Sequence, residues 1–393
     1  MTCHINFKLG HYRQVQRLAL RLALLLKRVE MKILRWSSGI VALCLLAARC
    51  RGQEAAEALY DQGWQKFNSN QVDAALLLFS QAIQTGTNPD LLGRAYESRG
   101  QAKERKNDDR GAIADFNRAI QLNPAGWKLY YERAEIEPDV ADAIIDCDLA
   151  IKFNPQASDV YSLRARLFAR KQWLDAALAD FNTSIRLNPT NVSAYRGRAL
   201  ARVRSNDFDG AIADYSVLIQ INPKYGRYYY DPRAWAKVGK GDREGALTDM
   251  NAAIQLDPTN SYLYSDRGWM QCDRNAFDGA LTDAAQSMKL CPTNPEAYLV
   301  RGMARLGKND RTGARDDFSR AIDLTDTAVY YSAVSSKEVF RDLNQGWIDF
   351  AKGDDEAAVA SWNQAVAESP YVFKWQIQPW IDKARDRSTG SGR

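Results

Sequence analysis

From about residue 53 the chain alternates apolar and polar positions with a helical period, and the helical blocks themselves recur. Each block closes on a related tail: AIQLNP at 119–124, AIKFNP at 150–155, SIRLNP at 184–189, LIQINP at 218–223, AIQLDP at 253–258 and SMKLCP at 287–292. AIQTGT at 82–87 precedes them, and AIDLTD at 321–326 and AVAESP at 365–370 follow. Successive tails are 37, 31, 34, 34, 35, 34, 34 and 44 residues apart. Each block divides into two amphipathic helices joined by a short turn rich in Gly, Asn and Asp. A proline after the second helix blocks its continuation in most blocks.

The small residues define where these helices cross. The first helix carries Gly63, Gly100, Ala134, Ala165, Ala199, Ala234, Gly268, Gly302 or Gly346. The second carries Ala75, Ala112, Ala143, Ala177, Ala211, Ala246, Ala280, Ala314 or Ala358. Four residues after the alanine stands a large group such as Phe79, Phe116, Phe181, Tyr215, Met250, Phe318 or Trp362, on the same helical face. Small side chains at the crossing point let two helices approach at the close end of the usual ~8–10 Å range.

A polar pattern runs through the same blocks. Seven first helices carry Tyr-x-x-Arg, from Tyr96/Arg99 to Tyr298/Arg301, and the same seven blocks carry an Asp in the second helix, from Asp115 to Asp317. The two end blocks lack both. Joint presence and absence predicts an Arg–Asp pair across helices, within a unit or to its neighbour, in preference to a ladder of anion-binding arginines.

A helix–turn–helix unit of about 34 residues, with these small residues and these tails, resembles the tetratricopeptide repeat (TPR) over about residues 55–370. The resemblance implies an all-α fold: a right-handed superhelical solenoid of about nine such repeats, closed by a C-terminal capping helix, and of a bacterial exported type. The domain boundaries expected are 1–52 for an N-terminal targeting segment, 53–370 for the array, and 371–393 for the capping helix and a disordered tail starting near Arg387. Trp375, Ile377, Trp380 and Ile381 would form the apolar face of the cap. The third unit is short, so its second helix should begin just after Pro138. Ten extra residues around Thr325–Lys337 should perturb the eighth-to-ninth junction.

Charge changes the picture at the N-terminus. Residues 1–52 hold ten Lys/Arg and one acid, Glu30, whereas the rest is mildly acidic with 43 bases against 47 acids. A mildly acidic body argues against nucleic acid as a partner. Met31 is read as the true start of an export signal: Lys32 and Arg35 precede an apolar run too short to span a bilayer. Lipidation at Cys50 is disfavoured by Arg49, where a small residue is needed. Membrane contact is therefore expected only through this segment, if it is uncleaved, with the body in the periplasm or otherwise exported. The alternative is a cytoplasmic adaptor or cochaperone-like regulator.

Catalysis finds no support. Both histidines, His4 and His11, lie in the basic head, and no span is left for a second domain. Neither a metal site nor a cofactor is expected. Cys147, Cys272 and Cys291 have no ligand or disulfide spacing.

What remains is binding. In the family resembled, the first helices line the concave surface, at positions one and five after the tyrosine. The N-terminal half then offers Glu97, Gln101, Arg166, Arg170, Arg196 and Arg204. The C-terminal half offers Tyr228, Trp235, Tyr262, Trp269, Leu299, Met303, Leu306, Leu343, Trp347 and Phe350. This aromatic half is expected to take an extended peptide or a helix of a protein partner. The competing expectation is that the same aromatics fill the interior or pack beneath the cap.

Overall fold

The computed structural model describes Lys27 and residues 52–327, 337–368 and 374–389. The targeting segment, with Met31 and Cys50, lies outside them, as do 328–336 of the expanded junction. Within the described residues every regular element is helical. Helix α1 covers 52–68 and α2 Val72–Thr85. Then follow the pairs α3 Pro89–Glu104 and α4 Asp109–Leu122, and α5 Trp127–Ile136 and α6 Val140–Phe153. The next pairs are α7 Ser158–Arg170 with α8 Leu174–Leu187, α9 Val192–Arg204 with α10 Phe208–Ile221, and α11 Arg227–Lys240 with α12 Arg243–Leu256. The last pairs are α13 Ser261–Asp273 with α14 Phe277–Leu290, α15 Pro295–Gly307 with α16 Arg311–Thr327, and α17 Lys337–Lys352 with α18 Asp355–Glu368. Helix α19, Lys374–Thr389, ends the series. The chain forms two compact units divided after Pro155: the first holds α1–α6 and the second α7–α19. In each, a helix packs on its successor.

The turns follow from single residues. Asn70, Asn107, Gln172, Asn206, Asn275 and Asn309 take positive φ between the two helices of their pair, and Gly241 and Gly353 do so at φ +90° and +91°. Asn adopts this left-handed conformation more readily than other side chains, and Gly most readily of all. The third pair has no such residue. There Asp139, directly after Pro138, caps α6 by accepting from the N–H groups of Ala141 (2.7 Å) and Asp142 (3.1 Å), as the short turn predicts. Asp108, Asp207, Asp242 and Asp310 cap α4, α10, α12 and α16 by accepting from Gly111, Gly210, Gly245 and Gly313.

The small first-helix residues face the large second-helix groups, a pairing visible as fit. A Cβ on Gly63 would stand 2.6 Å from the Phe79 ring, and one on Gly302 2.5 Å from that of Phe318. Phe79, Phe116, Phe181, Phe318 and Trp362 are fully buried. The core is not uniform, however. Around α7–α12 it is a series of separate clusters, one per helix pair and its neighbour. From α13 to α19 it is continuous, running from Trp269 through Val300, Phe318 and Trp347 to Ile381.

Helix α19 covers the end of that core. Ile377, Ile381 and Ala384 are buried, and the Trp380 ring meets Trp347 edge-on at 4.8 Å and Phe350 at 5.9 Å. The side chain of Trp375 lies outside the described residues. One expectation is corrected here: the helix continues through Arg387 to Thr389, where the sequence suggests a tail. Arg387 holds it in place. Its Nε donates to Asp355 at 3.0 Å and its guanidinium lies 3.9 Å over the Phe350 ring.

Candidate functional site

The recurrent arginines are accounted for first. Each forks onto the Asp of its own unit, for example Arg99 Nε and Nη2 on Asp115 at 2.8 and 2.7 Å, and Arg267 on Asp283 at 2.9 and 2.6 Å. In five of them the third nitrogen, Nη1, reaches back to the preceding second helix. It donates to Ser80 at 3.2 Å from Arg99, to Asn182 at 2.7 Å from Arg198, and to Asn251 at 2.7 Å from Arg267. The tyrosine of each motif supplies a ring 5.2–5.8 Å from its own guanidinium. Thus Arg and Asp pair within the unit, and Arg99, Arg133, Arg198, Arg233 and Arg267 also tie that unit to its predecessor. In each of the seven the fork is taken up by the Asp of its own unit, so the motif reads as a structural pair and not as an anion site.

The aromatic face is only partly open, and the first-helix expectation needs correction for most of it. Tyr228 is 57% exposed and Tyr262 41%. Trp235 and Leu306 are half-buried. Trp269, Leu299, Met303, Leu343, Trp347 and Phe350 are buried, Trp347 completely. Two packing facts explain this. First helices α13, α15 and α17 lie directly against one another, so positions one and five after the tyrosine fall in helix–helix contacts. Helix α19 then roofs α17, and Trp347 meets Phe318, Phe350, Trp362 and Trp380 at 4.8–6.4 Å. Among the candidates the uncovered aromatic surface is therefore Tyr228 and Tyr262, with Trp235, whose ring leans on Trp269 at 5.4 Å. Tyr225, stacked on Tyr228 at 6.2 Å, extends it. Pro232, inside α11, has no N–H, so the Tyr228 carbonyl loses its usual helical donor.

The polar candidates behave differently. In the first unit Gln101 donates to Glu132 at 2.6 Å and Lys128 bonds Glu97 at 3.0 Å. Burial, then the charge of Glu97, pushes Glu132 up to about 7, against the opposing pull of Lys128. In the second unit Arg204 donates to the Ala169 carbonyl at 3.2 Å, while Arg166, Arg170 and Arg196 are exposed.

Beside the aromatics sits a group that sequence reading misses. Asp231 on α11 and Asp266 on α13 are close enough for their charges to act on each other. Asp231 as a residue is half-buried, but its Oδ1 is sealed from solvent and has no hydrogen-bond partner. Burial pushes its carboxyl up to about 6. Asp266 is also raised well above the carboxylate range, by burial first and then by the charges of Asp231 and Glu296, while an indole N–H bond from Trp235 opposes the shift. On the other side lie Tyr215, raised by burial and by Asp231, and Arg196, which lowers it. The signal was present: Asp231 directly follows Tyr230, one of the two register positions of the binding face, but an aromatic selection passes over it.

Helical pairs that repeat one register, each packed on its successor, define a class: the helical-repeat protein, a fold that supports protein–protein interaction generally. Within it the repeats are of the tetratricopeptide kind. Residues 162–225 and 93–125 each match a family model described as tetratricopeptide repeat. Solved structures resemble it too. A tetratricopeptide repeat protein from Parabacteroides merdae is 17% identical, with 64% of this chain and 99% of that one covered at a TM-score of 0.49. Pseudomonas aeruginosa PilF is 15% identical, covering 53% and 94% at 0.45. YrrB, a TPR protein with an unusual peptide-binding site, is 20% identical, covering 45% and 91% at 0.37. The repeat fold implies a protein or peptide partner, and proteins built from it are generally non-enzymatic scaffolds. Among the described residues no helix is long and apolar enough to cross a membrane.

Proposed function

We propose that this chain is an exported interaction scaffold of the cell envelope, which acts without catalysis and takes an extended peptide or a helix of a protein partner on the first-helix face of α11 and α13. One observation carries the reading: Tyr228 and Tyr262 are exposed, with Trp235 half-buried, on two neighbouring first helices while the aromatics beyond them are sealed in the core. Exposed tyrosines and a tryptophan supply large, rigid contact area, the chemistry enriched where proteins meet. The basic, apolar head from Met31 supports export, and it is the only segment expected to touch a membrane. The mildly acidic body supports a polypeptide partner over a nucleic acid.

The test is site-directed photocrosslinking in the native host. A benzophenone side chain at position 228 or 262 is expected to capture the same partner protein, while one at the exposed Leu77 or Trp173 is not. No adduct specific to 228 and 262 would refute the face. N-terminal sequencing of the mature protein checks export separately: an intact Met31-Lys32-Ile33 start in the soluble cytoplasm would show the alternative, a cytoplasmic adaptor.

A further inference from the structure

Helices α7 and α9 differ in charge from the rest of the chain. Together they carry seven arginines and one acid, Asp159, in a body where acids slightly outnumber bases. Three of the seven have structural partners: Arg164 pairs with Asp180, and Arg198 and Arg202 share Asp214. The other four are Arg166, Arg170, Arg196 and Arg204. A spacing of four residues puts Arg166 and Arg170 in one line on α7, and Arg196, Leu200 and Arg204 in one line on α9. Arg204 donates to the Ala169 carbonyl at 3.2 Å, so the two helices lie side by side. Arg166, Arg170 and Arg196 are exposed, and Leu200, between the α9 arginines, is 46% exposed. Asp159 stands at the opposite end of α7, where it accepts from Asn191 at 3.0 Å. Among the described residues Arg170, Arg196 and Arg204 form no salt bridge. A cation in the last helical turn is offset by the carbonyls there, which accounts for Arg170 and Arg204 but not for Arg196.

What lies next to this charge follows from the repeat register. Arg196 on α9 and Asp231 on α11 each directly follow their motif tyrosine, so the sign reverses within one repeat. Arg166, Leu200 and Trp235 each stand five residues after theirs, so the same face passes from cation to exposed aliphatic to aromatic. A phosphate backbone or an anionic membrane is held by cations that continue along it. A patch that gives way to Leu200 and then to Trp235 suits a polypeptide whose acidic stretch adjoins apolar residues. The chain's own N-terminal segment is a poor occupant, since the ten Lys/Arg of residues 1–52 repel the patch.

We propose that the first-helix face of α7 and α9 receives an acidic stretch of the bound polypeptide, whose carboxylates meet Arg170, Arg196 and Arg204. This rests on the binding face of α11 and α13 proposed above and adds the chemistry of the segment that continues from it. Charge complementarity carries the assignment: guanidinium groups without a carboxylate of their own can fork onto one supplied by a partner. Arg196 and Arg204 are roughly 12 Å apart along α9, a distance that about four extended residues span. The partner accordingly bears more than one Asp or Glu within such a stretch, next to apolar or aromatic residues.

A phage-displayed library of random dodecapeptides, selected on the immobilised full chain, tests this. Enriched peptides are expected to carry an excess of Asp and Glu beside apolar residues. A synthetic copy should bind R170E/R196E about tenfold or more weakly than wild type, and raising NaCl from about 50 to about 500 mM should weaken wild-type binding comparably. Both positions are exposed, and R170Q/R196Q takes the place of the reversal should that variant fold poorly. Peptides enriched without an acidic excess, acidic peptides bound equally by the variant, or no enrichment at all would overturn the acidic dock. So would stronger arginine-dependent binding of oligothymidylate or of phosphatidylglycerol vesicles, or a wild-type dimer that R170E/R196E dissociates, which would make the occupant a second copy. The crosslinks at 228 and 262 judge the aromatic face independently.

Discussion

Arg233 grips Asp249 at two points, Nε to Oδ2 at 2.8 Å and Nη2 to Oδ1 at 2.7 Å, and spends its remaining nitrogen on Ser216 Oγ at 2.9 Å in the preceding pair. One side chain thus joins the two helices of its unit and the unit before it. The carboxylate is almost inaccessible, whereas the guanidinium keeps an edge to solvent. Replacing Arg233 by Met should cost on the order of 2–4 kcal/mol, since it leaves Asp249 with Lys237 alone. Arg233→Lys should recover only part of this, because a point charge cannot make the fork. Urea unfolding of the two variants, with a double-mutant cycle through Asp249→Asn, measures the coupling; additive losses would contradict it.

Gly346 is expected to be the least replaceable of the crossing residues. A methyl group there would stand 2.4 Å from Cδ1 and Nε1 of Trp362. That indole cannot easily yield, since its N–H donates to the Leu343 carbonyl at 3.2 Å and it is fully buried. Gly346→Ala should lose about 1–3 kcal/mol. Gly93→Ala provides the control, its nearest neighbour being Leu122 Cβ at 3.7 Å. Calorimetric melting temperatures decide the comparison.

The acid pair makes stability depend on pH with a defined sign. Asp231 rises from an ordinary 3.8 to about 6 on folding. The folded state therefore holds the proton more tightly, and the stability this gives is complete below about 3.8 and lost as pH climbs through about 6. Asp231→Asn should stabilise the protein at pH 7.5 by on the order of 1–3 kcal/mol and by much less at pH 4. Urea midpoints for wild type and variant across this range should diverge with rising pH; parallel curves would contradict the assignment.

Trp380 should matter more than a half-buried residue usually does. It covers Trp347 and Phe350, so Trp380→Ala opens the end of the continuous core as well as losing its own contacts. A loss of about 2–4 kcal/mol is expected, with increased binding of a hydrophobic dye in the native state. An unchanged dye signal would mean that α19 is not the seal.

The helical pairs were legible because their signals are local. Gly or Ala at each crossing, proline stops and Asn turns such as Asn107 and Asn309 state the fold unit by unit. The Arg–Asp partnership was legible from joint occurrence, although the third donor bond to Ser80, Asn182 or Ser216 was not, since those acceptors differ in type. Burial of the aromatic row was the larger miss. A register rule assigns Trp347 and Phe350 to a face but cannot tell whether α19 will lie on that face. Nor can it reveal that α13, α15 and α17 touch one another. Asp231 was overlooked for the opposite reason: a single acid looks like solvated surface until Asp266 is found next to it.

The change in the core along the second unit has a consequence for how the molecule opens. Separate clusters around α7–α12 allow one helix pair to lose its amide protection with little effect on the next, so hydrogen exchange there should proceed through many small openings. The continuous core of α13–α19 leaves no such weak seam, and its amides should exchange together, near the global unfolding rate. Tyr228 and Tyr262 sit where the two regimes meet, one on a helix that can breathe and the other on a helix that is anchored.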